Sequence, residues 1–416
     1  MAGATPDGSS PALPLEGIVV LDLTRALAGP YATALLADLG ATIIKVESKK
    51  GGDSTRAWPP FEGAHSLYFD SVNRNKSSIA IDFYSPEGAA LLRSMALDAD
   101  VVIENFKPGT MTEMGLDPAE LRAEKPSLIV ASVSGFGSTG PLAQAAGLDQ
   151  VAQGMSGLMS VTGDDPEHPT RVGVPIVDIY AGVFTALGIA AALVGRERSA
   201  RAGGGPGTGR LIETSLLEAA IAVSVFQGQR YLSAGEIPEP QGNNHPVLAP
   251  YGVFATADIP IIIAAGNDRH FQQLAGLLGE PGLADEEEFA TGRARSGHRQ
   301  ELTARLEQLL AARPGLEWVD ELRRIGIPAG PILNYQQVFD DPQVKHLDMV
   351  TRLTRRDGSA LPLLRGPITV DGVRPVVRKV PPALGEDTRA VLDRLGLTAE
   401  QVEGLLAAGI VTEPAD

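Results

Sequence analysis

From residue 17 to residue 133 short apolar runs alternate with amphipathic stretches, and this rhythm restricts the fold more than any other feature of the chain. Residues 18–23, 42–47, 78–82, 101–104 and 128–133 have the length and β-branched content of buried strands. Between them, residues 30–39, 86–96 and 118–124 have helical character and each opens on a proline, which the first helical turn accepts. Strand–helix–strand units of this length build a parallel sheet covered by helices, so a doubly wound, Rossmann-like α/β large domain is expected. Further on, an apolar helix over 179–196, a strand over 210–214 and a long helix over 215–232 extend the same domain to residue 233. Residues 234–248, holding Pro238, Pro240, Gly242 and Pro246, read as a linker. A smaller α+β domain follows over 249–340, and residues 1–14, rich in Gly, Pro and Ser, read as a disordered leader without a secretion-signal pattern.

Composition narrows the chemistry. A chain of 416 residues, 44% of them hydrophobic, is long enough for more than one core. It has no cysteine, which excludes disulfides, thiolate nucleophiles and thiolate zinc sites, and points to a cytoplasmic protein whose nucleophile is oxygen or nitrogen. The net charge of -16 argues against nucleic acid and anionic membranes as partners, since both select clustered Lys and Arg. The most nearly apolar run, 179–194, falls short of the roughly 20 residues of a membrane span and is expected to be a buried helix. No metal site is expected: His65, His168, His245, His270, His298 and His346 never take ligand spacing. A Gly-x-Ser-x-Gly elbow is also absent.

Two glycine runs invite a nucleotide reading. Gly135-Phe136-Gly137-Ser138-Thr139-Gly140 has the dinucleotide fingerprint spacing, but it comes late in the chain rather than in the first strand–helix turn. Gly203 to Arg210 lacks the Lys-Ser/Thr ending of a phosphate loop and follows a helix, so it reads as a flexible connection. Asp178 stands apart, because it interrupts the apolar stretch 172–179 immediately before a long apolar helix. That position predicts a helix N-cap, and the helix dipole with its free amides would hold the carboxylate ionised, as a nucleophile requires. Asp149 is the second acid in a low-charge neighbourhood, with a solvated surface position as its plain alternative.

Several strings together resemble the class III coenzyme A-transferases, the family of formyl-CoA transferase, carnitine CoA-transferase and α-methylacyl-CoA racemase. They include Leu39-Gly40-Ala41-Thr42-Ile43-Ile44-Lys45-Val46-Glu47, Gly52-Asp53-Ser54-Thr55-Arg56, Asn73-Arg74-Asn75-Lys76-Ser77, Glu104-Asn105-Phe106-Lys107-Pro108-Gly109 and Gly326-Ile327-Pro328-Ala329-Gly330-Pro331. The resemblance runs in order from about Leu15 to Val411, and it reassigns the Gly135 to Gly140 run to the family pattern. It implies an interlocked-ring homodimer in which residues 341–416 return to the large domain. It also implies coenzyme A thioesters and small carboxylic acids as substrates, with no tightly bound cofactor.

Carried over residue by residue, the family's nucleophile falls on Asp178 and its acidic neighbour on Asp149. Contacts to coenzyme A fall on Arg25, Ala26, Leu27, Ala28, Ile81, Asn105, Phe106 and Lys107. The racemase branch has a histidine where this chain has Leu148, which favours transfer over racemisation. Cationic positions of relatives read Ser48, Tyr84 and Glu113 here, leaving Lys49, Lys50, Lys76 and Lys107 as substitutes for binding phosphate. Leu27 replaces a glutamine of formyl-CoA transferase, which argues against oxalate-type chemistry. The string around Arg74 is similar to the branch acting on dicarboxylates such as succinate; this makes Arg74 a candidate for a free substrate carboxylate, with a salt bridge as the alternative. A racemase, or a CoA-binding protein without turnover in which Asp178 only caps its helix, are the competing readings.

Overall fold

The computed structural model describes residues 13–414, so the expected leader lies outside the described residues except for Leu13 and Pro14. The chain divides into two compact units, one formed by Met1–Leu158, Val172–Gln229 and Asp348–Asp416, the other by Met159–Arg171 and Arg230–Leu347. The division differs in detail from the sequence expectation. Residues 234–248 belong to the second unit instead of forming a separate linker, residues 159–171 join them, and the second unit runs on to Leu347.

The first unit is built on a seven-stranded sheet. Its strands are β1 (Val19–Asp22), β2 (Thr42–Ser48), β3 (Lys76–Ile81), β4 (Val101–Glu104), β5 (Ile129–Ser134), β6 (Leu211–Ser215) and β7 (Val411–Thr412). Their order is β7-β3-β2-β1-β4-β5-β6; every pairing is parallel except that of β7, which runs antiparallel along β3. Central strands are apolar at successive positions because both faces are covered. Val19 and Leu21 enter a core with Ile44, Ile79, Leu92, Met95 and Leu121. Val20, whose side chain points the other way, joins Ile43, Ile103, Leu36, Ile189 and Leu193.

The helices of this unit used below are α1 (Ala28–Asp38), α2 (Leu67–Val72), α3 (Pro86–Asp98), α4 (Pro118–Glu124), α5 (Asp149–Met155), α6 (Ile176–Gly203) and α7 (Leu216–Ala222). α3 shows why the helix starts were legible: Ser85 caps the Gly88 amide and Pro86 occupies the first turn. α1 lies tight against α6, since a Cβ on Gly182 would fall 2.6 Å from the Ala28 carbonyl oxygen. Two helix expectations change. The single helix over 215–232 is α7 followed by Val225–Ala234, the second helix opening on Val225 at φ 42°. α6 is 28 residues long and is apolar enough to cross a bilayer by length and composition, although the apolar run read from sequence was shorter. Val177, Ala181, Thr185, Ile189 and Leu193 along it are buried.

The second unit carries an antiparallel three-stranded sheet with Ile261–Ala264 between Tyr251–Phe254 and Ala329–Pro331. Helices Asp268–Leu277, Arg299–Leu310 and Gly315–Arg324 bury Phe271, Leu274, Leu306, Trp318 and Leu322 in its core.

Candidate active site

The loop leaving β1 is held by charges beneath it. Asp22, fully buried, accepts hydrogen bonds from the Thr24 amide (2.9 Å), the Thr33 hydroxyl (2.6 Å) and Lys76 Nζ (3.1 Å). Burial would raise the Asp22 carboxyl, but Lys76, Lys45 and the two threonine hydroxyls outweigh it and hold the carboxyl below its ordinary value. Lys45 donates to the Thr24 carbonyl (2.8 Å) and to Asp53 (3.0 Å), whose other oxygen accepts from the Ala26 amide (3.2 Å). Ala26 takes a left-handed conformation, φ 65°, so these bonds fix a turn that an alanine adopts only under constraint. From the end of β4, Asn105 accepts from the Arg25 amide (2.9 Å) and donates to the Arg25 carbonyl (2.7 Å). The Arg25 guanidinium lies 5.5 Å from the Phe106 ring centre.

Of the residues implied for coenzyme A, Arg25, Ala26, Asn105 and Phe106 are therefore brought together. Arg25 and Phe106 line a cavity of about 550 Å³ with Phe83, Tyr84 and Glu113, at the carboxyl ends of the strands where open α/β sheets bind ligands. Lys107 lines a neighbouring cavity of about 310 Å³ with Glu104, Ser134 and Gly137. Leu27 and Ala28 are buried at the start of α1.

Ile81, Lys76 and Arg74 line neither cavity. Ile81 is fully buried in the sheet core and its carbonyl accepts from the Lys49 amide, so its side chain lines neither cavity. Lys76 is fully buried and donates to Asp22, the Pro30 carbonyl and Asn73, which removes it from the phosphate candidates. Arg74 is buried in a two-pronged pair with Asp38 (3.1 and 2.6 Å) and donates to the Ser71 carbonyl; it meets an acid of its own chain instead of a substrate.

Asp178 occupies the first turn of α6 and is not its N-cap; Pro175 holds that position and supplies no side-chain cap. The capping acceptor comes from another helix. One oxygen of Asp149, the first residue of α5, accepts from the Val177 amide (2.8 Å) and the Asp178 amide (3.3 Å). Its second oxygen accepts from Gln153 Nε2 (2.7 Å), and Gln153 Oε1 accepts from the Val172 amide (2.9 Å). The amides expected to hold Asp178 ionised thus serve Asp149. Burial, with the Asp149 charge added to it, pushes the Asp178 carboxyl up to about 7. The first α6 amides therefore do not lower the Asp178 carboxyl as a cap would; burial and a like charge act on it in the opposite direction.

Tyr68 on α2, packed edge-on against Trp58, has its phenol raised first by burial and then by the charges of Asp178 and Asp149. Sequence reasoning missed both Tyr68 and Gln153. Only Gln153 had a local signal, since Asp149 and Gln153 are four residues apart on one helix face. Leu148, preceding Asp149, is exposed and supplies no base. The Gly135 to Gly140 run is a turn after β5 in which Gly135 and Gly147 pack backbone to backbone: a Cβ on Gly135 would lie 2.5 Å from the Gly147 Cα. Nothing larger than glycine fits either position without moving the chain.

The model of CoA-transferase family III matches residues 15–388. The chain is 41% identical to the succinate–glutarate CoA-transferase of Agrobacterium fabrum over 394 residues, covering 92% of this chain and 96% of that one. It is 37% identical to the succinyl-CoA:glutarate CoA-transferase of Mus musculus over 411 residues, covering 96% and 91%. Among solved structures it resembles a CAIB/BAIF family protein from Brucella suis, with a TM-score of 0.81 and 40% identity over 92% of this chain and 100% of that one. A fold, a strand-end cavity and a sequence match over nearly the whole chain all agree: the chain belongs to CoA-transferase family III.

Proposed function

We propose that this chain moves coenzyme A between carboxylic acids with Asp178 as its covalent nucleophile, and with a dicarboxylate such as succinate or glutarate as donor or acceptor. The observation that carries the mechanism is the partly buried Asp178 carboxyl, raised to about 7 beside Asp149. A carboxylate of raised proton affinity and thin hydration is a stronger nucleophile than a solvated one. The dicarboxylate rests on the relatives, which are named for succinate and glutarate.

In the first step an Asp178 oxygen attacks the acyl carbon of the donor thioester, the C–S bond breaks, and a mixed anhydride and CoA thiolate result. The thiolate then attacks the aspartyl carbon, releasing the donor acid as carboxylate and leaving an aspartyl-CoA thioester. The acceptor carboxylate attacks that carbon and expels the thiolate, and the thiolate attacks the acceptor acyl carbon, regenerating Asp178. No net proton is consumed. Coenzyme A lies with its nucleotide end in the cavity lined by Arg25, Tyr84 and Phe106, held largely by backbone groups. Racemisation is disfavoured because Leu148 stands where a second base is required.

An interlocked homodimer is part of the same reading. Tyr180, Val183, Leu187 and Val194 recur at helical spacing on α6 and are exposed, an apolar stripe that a second copy would cover.

The nucleophile is tested by Asp178→Ala, which is expected to abolish CoA exchange between succinyl-CoA and glutarate. Hydroxylamine added with succinyl-CoA alone is expected to leave a hydroxamate on Asp178, located by peptide mass spectrometry. An active Asp178→Ala protein overturns the assignment.

A further inference from the structure

Gln153 is fully buried, yet both ends of its amide are used at the centre just described. It links three pieces of chain. Nε2 holds one oxygen of Asp149 on its own helix, while Oε1 holds the Val172 amide in the segment leading to α6. The second Asp149 oxygen is thereby aimed at the Val177 and Asp178 amides, where it takes the place of the cap that Pro175 does not provide.

We propose that Gln153 is a positioning residue for the transfer reaction: its amide locks Asp149 onto the first amides of α6, so that a fixed neighbouring carboxylate, and not water, sets the charge environment of Asp178. This rests on Asp178 being the nucleophile. The lock needs an amide in particular, because one atom must donate to a carboxylate while the other accepts from a backbone N–H. Glutamate has the shape without the donor, and leucine has the approximate volume without either polar atom. The charged group acting on Asp178 is Asp149 from α5, and the two acids together raise Tyr68 on α2. Tyr68, raised above its ordinary value, stays neutral through the range in which Asp178 titrates.

The two substitutions are expected to move the acid limb of the kcat/KM profile in opposite directions. In Gln153→Leu, Asp149 is free to turn toward solvent, its charge acts less on Asp178, and the limb shifts to lower pH, with kcat reduced at least tenfold and KM for succinyl-CoA changed less than twofold. In Gln153→Glu, a further carboxylate joins the pair and the limb shifts to higher pH. A residue needed only for packing would lower activity in both variants and leave the limb in place, and that result overturns the proposal. If Gln153→Leu is recovered unfolded by circular dichroism, the isosteric Gln153→Glu decides alone: an upward limb supports the lock and an unmoved limb removes it. Asp178→Asn, assayed alongside, separates the two levels. Activity in that protein refutes the nucleophile, whereas an inactive Asp178→Asn with unmoved limbs at position 153 refutes only the role of Gln153.

Discussion

Two groups of acids, one buried and one partly buried, lie in the same unit and are opposite in design. Beneath the loop after β1, Asp22 and Asp53 face Lys76 and Lys45, and each carboxyl is held below its ordinary value despite burial. At the start of α6, Asp149 accepts from amide donors beside Asp178, and burial with the like charge of Asp149 raises Asp178 to about 7. The difference teaches that burial alone does not decide the state of a carboxyl; the sign of the nearest charges does. The first arrangement holds a turn in place. The second keeps the proposed nucleophile partly withdrawn from water and near its titration point.

Their effects on stability run in opposite senses. Asp22, lowered in the fold, contributes stability above the ordinary carboxyl value that is lost as pH falls through its depressed one. Asp178, raised in the fold, contributes stability that is complete below the unfolded value of 3.8 and lost as pH rises through about 7. One site favours its ionised form, and the other resists it.

The sharpest way to break the contrast is to remove a cation from the paired group. Lys76→Met leaves Asp22 buried without its partner and is expected to cost about 3 kcal/mol or more in urea unfolding. The burial of Lys76, which pushes its own ammonium down to about 8 against the pull of Asp22, shows how confined that pair is. At the unpaired group the expected effect is on titration. Asp149→Asn is expected to lower the acid limb of kcat/KM from near 7 by about one pH unit, because a like charge is removed from Asp178. The smallest effect belongs to Arg74→Lys. It gives up the two-pronged contact with Asp38 and should cost about 1–2 kcal/mol of stability. The KM of the acceptor acid should stay unchanged, and a raised KM would return Arg74 to the substrate.

These contrasts also show what the amino-acid order revealed. Strands β1 to β6 and helices α1, α3 and α4 could be read because their signals are local: apolar runs for two-sided strands, and a proline in the first helical turns; the short α2 and α5 carry no such signal and were not expected. Asp178 could be found because a charge in an apolar stretch is conspicuous. Asp149 was implied as its acidic neighbour by resemblance alone; that it accepts from the first amides of α6 could not be foreseen, since it lies 29 residues away in sequence and reaches them only after α5 and α6 pack. For Arg74 a salt bridge was one of two readings, but its partner could not be named, Asp38 being 36 residues distant. Ile81 was a contact implied by the resemblance, but which residues of a strand face a cavity depends on sheet order. The β7 strand that closes beside it could not be foreseen from local pattern.

That closing strand affects the timing of synthesis. β7 comes from the last described residues, and the first unit is collected from three separated pieces of chain. Residues 230–347 leave the ribosome as one continuous piece and can begin to pack as they appear. The sheet beside the proposed nucleophile must wait for its edge on the order of ten seconds or more at ordinary elongation rates. During that interval the outer side of β3, with its unpaired backbone donors and acceptors, is open to wrong strand partners.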